Sequence, residues 1–217
     1  QLQPAPSNYL EYHTKAELRF PVKGESLIAN GGRTLLQNHH VVSKDQRFAI
    51  DIVALEFGSQ PPSAEKMKTF NIKTFSGTKN QNESYYCFGR EVVAPADGKV
   101  IDTLDGIMDN IPGEVNTDHA AGNYIVIDHG NKEFSMIAHL KQNSLKVEKG
   151  QFVRAGDIIG LIGNSGNSDE PHLHYHLQNS PTWFEGEGLP AQFSNYIANG
   201  RNIKRGEPVQ GEIIESE

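Results

Sequence analysis

NYIVIDHGNKEFSMIAHL, residues 123–140, reads as two strands joined by a tight turn. Residues 123–128 (NYIVID) are crowded with β-branched and aromatic side chains, which suit a pleated, half-buried surface. Residues 129–132 (HGNK) supply the glycine and asparagine that a hairpin turn uses. Residues 133–140 (EFSMIAHL) then alternate, placing His139 on the face opposite Ala138 and Leu140. A hairpin makes its two strands antiparallel neighbours, so this stretch sets the fold class.

The same grammar extends outward. Upstream, residues 92–94 precede a Pro95-Ala96-Asp97-Gly98 turn and a strand over 99–104, followed by a loop over 105–122 that carries His119. Downstream, two glycine turns at Gly150 and Gly156 punctuate short apolar runs at 152–153 and 158–162. Residues 47–54 (RFAIDIVA) read as a further strand, 16–21 and 26–29 as short ones, and 192–198 and 208–214 as closing ones. No long amphipathic helix is visible. The expected fold is therefore all-β and antiparallel, with a poorly ordered lead-in over 1–15 and a single domain over 16–217. Residues 55–90 form a loop-rich insertion whose length suggests a groove wall.

Composition narrows the class. The net charge of −7 argues against nucleic acid or an anionic membrane as the partner. No apolar run is long enough to span a bilayer. Cys87 is the single cysteine, which excludes an internal disulfide and a cysteine-based zinc site. The chain opens Gln1-Leu2-Gln3-Pro4 without an initiating methionine, which fits a mature exported form or a trimmed chain equally well.

Chemistry concentrates in PHLHYHL, residues 171–177. Read as a strand, it turns Leu173, Tyr175 and Leu177 to a core and lines up His172, His174 and His176 on the other face. Zinc takes imidazole ligands, and a hydrolytic site keeps one position open for water. The bland reading is a histidine-rich solvated face. Asp51 weighs against it: a carboxylate between two isoleucines calls for a cation or hydrogen-bond donors, from Arg47 or from a metal. His39 or His40 lies a short way upstream, and His139 ends its strand. His13, His119 and His129 fall in loops or turns and read as ordinary exposed histidines.

Taken in order, these segments resemble the lysostaphin-type zinc metallopeptidases, cell-wall endopeptidases of the duplicated-hybrid-motif fold. The matching residues are His40 and Asp51, APADGKV at 94–100, GNYIVIDHG at 122–130, AHL at 138–140, VEKGQFVRAGDIIGLIGNSG at 147–166, and PHLHYHL. The resemblance implies an antiparallel sandwich or open barrel. It also implies one zinc ion held by His40, Asp51 and His174, with His139 and His172 working on the metal-bound water and the developing oxyanion. Which of that pair is the base stays open, as does His39 in place of His40. The implied substrate is peptidoglycan peptide, cut by an exported monomer in the periplasm or outside the cell. The chain departs from the family pattern in the ten residues between His40 and Asp51, in Ile137 where a tyrosine is common, and in His176, read as a supporting residue.

Three other readings compete. An inactive scaffold that activates cell-wall amidases would be expected to lose ligands, and none is lost. A lipoyl or phosphocarrier β-domain shares the glycine-turn hairpins but gives Asp51 no task. A sugar-binding sandwich would lean on exposed aromatics, and Trp183 is the sole tryptophan.

Overall fold

The computed structural model describes residues 2–55 and 73–217. The described residues are almost entirely strand and turn: β1 (Gly24–Asn30), β2 (Ile50–Val53), β3 (Glu91–Val93), β4 (Gly98–Leu104), β5 (Asn123–Asp128), β6 (Phe134–Leu140), β7 (Phe152–Val153), β8 (Ile158–Leu161), β9 (Leu173–Gln178), β10 (Gly188–Leu189), β11 (Phe193–Ala198), β12 (Arg201–Gly206) and β13 (Ile213–Ser216). Short 3-10 turns cover His39–Val42 and Asn82–Ser84.

Eleven strands form one antiparallel sheet in the order β12-β11-β13-β1-β2-β9-β6-β5-β4-β7, with β10 added to β9; β3 and β8 pair as a separate ribbon. The sheet stays open and does not close into a barrel, which settles one half of the sandwich-or-barrel expectation. The hairpin of residues 123–140 is present, with Ile127 opposite Ser135 and Asp128 opposite Phe134.

The inner face carries the core. Leu173, Tyr175 and Leu177 from β9 meet Ile50 and Ile52 from β2 and Ile125, Ile127 and Ile137 from the hairpin in one apolar cluster. Burying each such side chain contributes about 1.5–3 kcal/mol. Tyr175 keeps its hydroxyl satisfied inside this cluster through Ser135 Oγ at 2.9 Å, which also meets His129 Nε2 at 2.7 Å. His129 is therefore half-buried and wired into the core, not an ordinary exposed turn residue.

Several segments differ from their sequence reading. Residues 16–21 form no strand; a single parallel bridge joins Leu18 to Phe193, although Leu18 and Phe20 are buried anchors. The polar N-terminal stretch is tied down: Ala5 N–H donates to the Val41 carbonyl, Thr14 Oγ1 to the Pro190 carbonyl, and Tyr12 Oη and Ala16 N–H to the Glu133 carboxylate. Its anchors are backbone groups and one buried carboxylate, which composition does not reveal. β12 (RNIKRG) is polar and exposed at the sheet's edge, so it carries no apolar alternation to announce it. Of the insertion, residues 56–72 lie outside the described residues. Residues 73–90 pack through Asn82, whose Nδ2 donates to the Asn110 carbonyl.

Candidate active site

The sheet order brings β1, β2, β9 and β6 side by side, and one row of cross-strand partners runs Asn30, Asp51, His174, Ala138. Strand register alone therefore sets Asp51 directly opposite His174, with Asn30 beyond Asp51 and His139 one residue past Ala138. Directly opposed residues bring their Cβ atoms within about 5 Å. His174 Nδ1 lies 3.1 Å from Asp51 Oδ1, and Asn30 Nδ2 donates to Asp51 Oδ2 at 3.0 Å.

His40 arrives from the 3-10 turn. Asn38 caps that turn by accepting from His40 N–H, while its own Nδ2 donates to the carbonyls of Gly32 and Ala49. The side chain so placed puts His40 Nε2 3.0 Å from Asp51 Oδ2. His39 stacks on it, ring centres 3.9 Å apart, but is exposed, with its Nδ1 3.1 Å from Asn30 Oδ1.

His172 immediately precedes β9. Its Nδ1–H donates to the Glu170 carbonyl at 2.8 Å, leaving Nε2 3.7 Å from Asp51 Oδ1. His139 occupies a left-handed backbone conformation, φ 61°, uncommon for a residue with a side chain. Its Nδ1–H donates to the Ser165 carbonyl at 2.8 Å. The rings of His139 and His172 lie 4.8 Å apart, centre to centre. Both therefore have one nitrogen committed to a carbonyl and the other left for the cleft.

These residues line a cleft of about 490 Å³, whose rim adds Val42, Asp169, Glu170, Trp183 and Phe184. None of residues 73–90 is among its lining residues; that segment reaches the rim through Lys79, 3.3 Å from Glu170. Trp183 and Phe184 escaped the sequence reading. An aromatic pair in a polar loop after β9 was the available signal, but nothing in the sequence brings that loop back over the site.

Burial dominates the electrostatics. It pushes the His139 and His176 imidazoles well below their ordinary range, and His174 down to about 4 despite the neighbouring Asp51 carboxylate. Burial alone would raise the Asp51 carboxyl; the neighbouring His40 and His172, and the close contacts of His174 and His40 with its oxygens, outweigh it and hold the carboxyl well below the usual range. A buried carboxylate ringed by imidazoles is the donor set that a zinc ion takes. His39, His40 and Asp51 present ligand atoms all within 4.8 Å of one another, and His174 Nδ1 abuts the same carboxylate. The residues fit a divalent metal.

Residues 84–185 match the model of Peptidase family M23. That span holds His139, His172 and His174; His40 and Asp51 lie upstream of it. Among curated proteins, the chain is 51% identical over 57 residues to peptidoglycan DD-endopeptidase ShyA of Vibrio cholerae, covering 26% of this chain and 13% of that protein. It is 32% identical over 108 residues to an uncharacterized metalloprotease of Buchnera aphidicola, covering 50% of this chain and 27% of the other. Among solved structures, a zinc-containing peptidase from Vibrio cholerae aligns at 25% identity and a TM-score of 0.44, over 81% of this chain and 41% of that one. The chain thus spans 13% and 27% of the length of these two curated relatives. On this match, residues 84–185 are similar to Peptidase family M23, over just under half of the chain.

Proposed function

We propose that this chain is a zinc-dependent endopeptidase that hydrolyses peptide bonds in the stem or cross-link peptides of peptidoglycan. His40, Asp51 and His174 hold one zinc ion in this reading, and His139 and His172 carry out the proton chemistry. The observation that supports it most is the convergence of five residues, spread from position 40 to position 174, on one cleft.

A bound zinc ion would lower the pKa of its water and polarise the scissile carbonyl. His139 and His172 do the rest. Each has Nδ1–H fixed by a backbone carbonyl, so each ring turns Nε2 toward the cleft. One accepts a proton from the attacking water and passes it to the leaving amine; the other, protonated, hydrogen-bonds the developing oxyanion. Asn30 donates to Asp51 Oδ2 and so helps to hold the carboxylate in place. The cleft is open, with apolar side chains at Val42 and Phe184 and carboxylates at Asp169 and Glu170, a lining suited to a peptide.

The retention of both histidines beside a complete donor set favours catalysis over an inactive activator role. Peptidoglycan lies outside the cytoplasmic membrane, so the reading places the chain in the periplasm or outside the cell, working as a monomer. The test is zinc analysis of the purified protein together with digestion of muropeptides read by mass spectrometry. His174→Ala should lose zinc and turnover, and His172→Ala should keep zinc and lose turnover. Retention of both by His174→Ala would remove His174 from the ligand set.

A further inference from the structure

On β9, beyond His174, lie two fully buried polar residues that the proposed chemistry does not use: His176 and Gln178, both 0% exposed. They form an unbroken chain. Gln178 Nε2 meets the carbonyls of Ser180 at 2.8 Å and Thr182 at 2.7 Å; Gln178 Oε1 meets His176 Nε2 at 3.2 Å; His176 Nδ1 meets His174 Nε2 at 2.9 Å. The edge of Trp183 closes over His176, ring centres 5.3 Å apart.

The donors and acceptors in this chain can be worked out from its far end. Two carbonyls can only accept, so the Gln178 nitrogen faces them with both protons and its oxygen must point back to His176. That oxygen can only accept, so His176 Nε2 carries a proton. His176 touches no carboxylate and no water-exposed surface, so a second proton on it would be an unpaired buried charge; its Nδ1 is bare. His174 Nε2 must then be the donor across the 2.9 Å contact, which leaves Nδ1 of a neutral His174 with its lone pair aimed at Asp51 Oδ1, 3.1 Å away. Two acceptors at that distance repel unless a cation lies between them.

We infer that His176 and Gln178 are positioning residues that fix the tautomer of His174, so that Nδ1 is the nitrogen it offers to the metal. The metal half of this inference rests on the zinc reading above; the tautomer half does not. Supporting partners of this kind typically contribute 10- to 100-fold in metal affinity.

The test combines zinc affinity by chelator competition with ¹⁵N NMR of histidine-labelled protein. In the zinc-loaded protein both His174 and His176 should carry their protons on Nε2, with Nδ1 of His176 bare. His176→Leu, which removes the acceptor, should bind zinc about 10- to 100-fold more weakly. His176→Gln, which can again accept from His174 Nε2–H, should recover most of that loss. A general loss of packing would not be repaired by glutamine. A proton on His176 Nδ1, or unchanged affinity in His176→Leu, overturns the inference. Should His176→Leu fail to fold, the spectrum of the unsubstituted protein still decides. Should the protein bind no zinc, the zinc reading fails, and a metal-free spectrum with His176 protonated on Nδ1 would sink the tautomer assignment as well.

Discussion

Asp51 Oδ1 and His174 Nδ1 face each other at 3.1 Å across two directly paired strands, both side chains buried. The pairing of Ile50 with Tyr175 and of Ile52 with Leu173 on either side locks that register from the core side. A one-residue slip of either strand would send its polar side chain into the apolar cluster, so the hydrophobic pattern of β2 and β9 specifies the polar contact as firmly as the polar residues do.

Asp51→Asn tests the charge without the shape. Asparagine can still accept from Asn30 Nδ2, but it brings no negative charge to a site surrounded by imidazoles. Zinc affinity is expected to fall by more than the roughly 100-fold ceiling typical of a supporting residue. Competition with a chromogenic chelator measures this; affinity within a few-fold of the parent would show that Asp51 is no ligand.

His139→Ala and His172→Ala are expected to leave zinc content intact and to lower turnover by about 10²- to 10⁴-fold each. Because the two rings share one cleft wall, their effects on kcat should combine to less than the product of the single losses. Loss of zinc from His139→Ala would instead mean that the ring contributes to the metal site.

Acid should destabilise the metal-free protein. His139, His174 and His176 have folded pKa values below their unfolded value of about 6.5, so they contribute stability that is full above that pH and is lost as pH falls below it. For His174, with a folded pKa of about 4, the window runs from about 6.5 down to about 4. The Asp51 carboxyl, also depressed on folding, acts in the same direction at lower pH still. Urea midpoints taken with a chelator present should fall steadily between pH 7 and pH 4.5. A midpoint that stays level over that range would contradict the burial of these imidazoles.

Much of this was legible in the sequence because strand period and hairpin chemistry are local. The 123–140 hairpin, β7 and the core-facing Leu173, Tyr175 and Leu177 all follow from alternation and glycine turns. The lost details are long-range. His172 lies just before β9, after a bend at 169–170 that apolar alternation does not announce. The tie between Tyr12 and Glu133 spans 121 positions, and no pattern within either segment encodes it. Likewise, the separate tasks of His174 and His176 depend on Gln178 and on two carbonyls of the following turn, which periodicity treats as loop.

Gly122 offers a test of how the loop at 163–166 serves His139. Its backbone is left-handed, φ 62°, and a Cβ there would lie 2.4 Å from the Ser165 carbonyl oxygen, the same oxygen that accepts from His139 Nδ1–H. Ser165 cannot simply step aside, since its hydroxyl accepts from Asn123 N–H and donates to the Leu140 carbonyl. Gly122→Ala should therefore cost about 1–3 kcal/mol of stability from strain and overpacking together. By displacing the carbonyl that orients His139, it should also lower kcat while zinc content is retained. Gly130→Ala is the matched control: its φ of 76° is also left-handed, but its Cβ meets nothing within 4 Å, so it should show a modest stability loss and a normal kcat. Thermal melts and steady-state kinetics on the two variants separate the effects. Equal kcat values in both would mean that the Ser165 carbonyl does not govern the His139 ring.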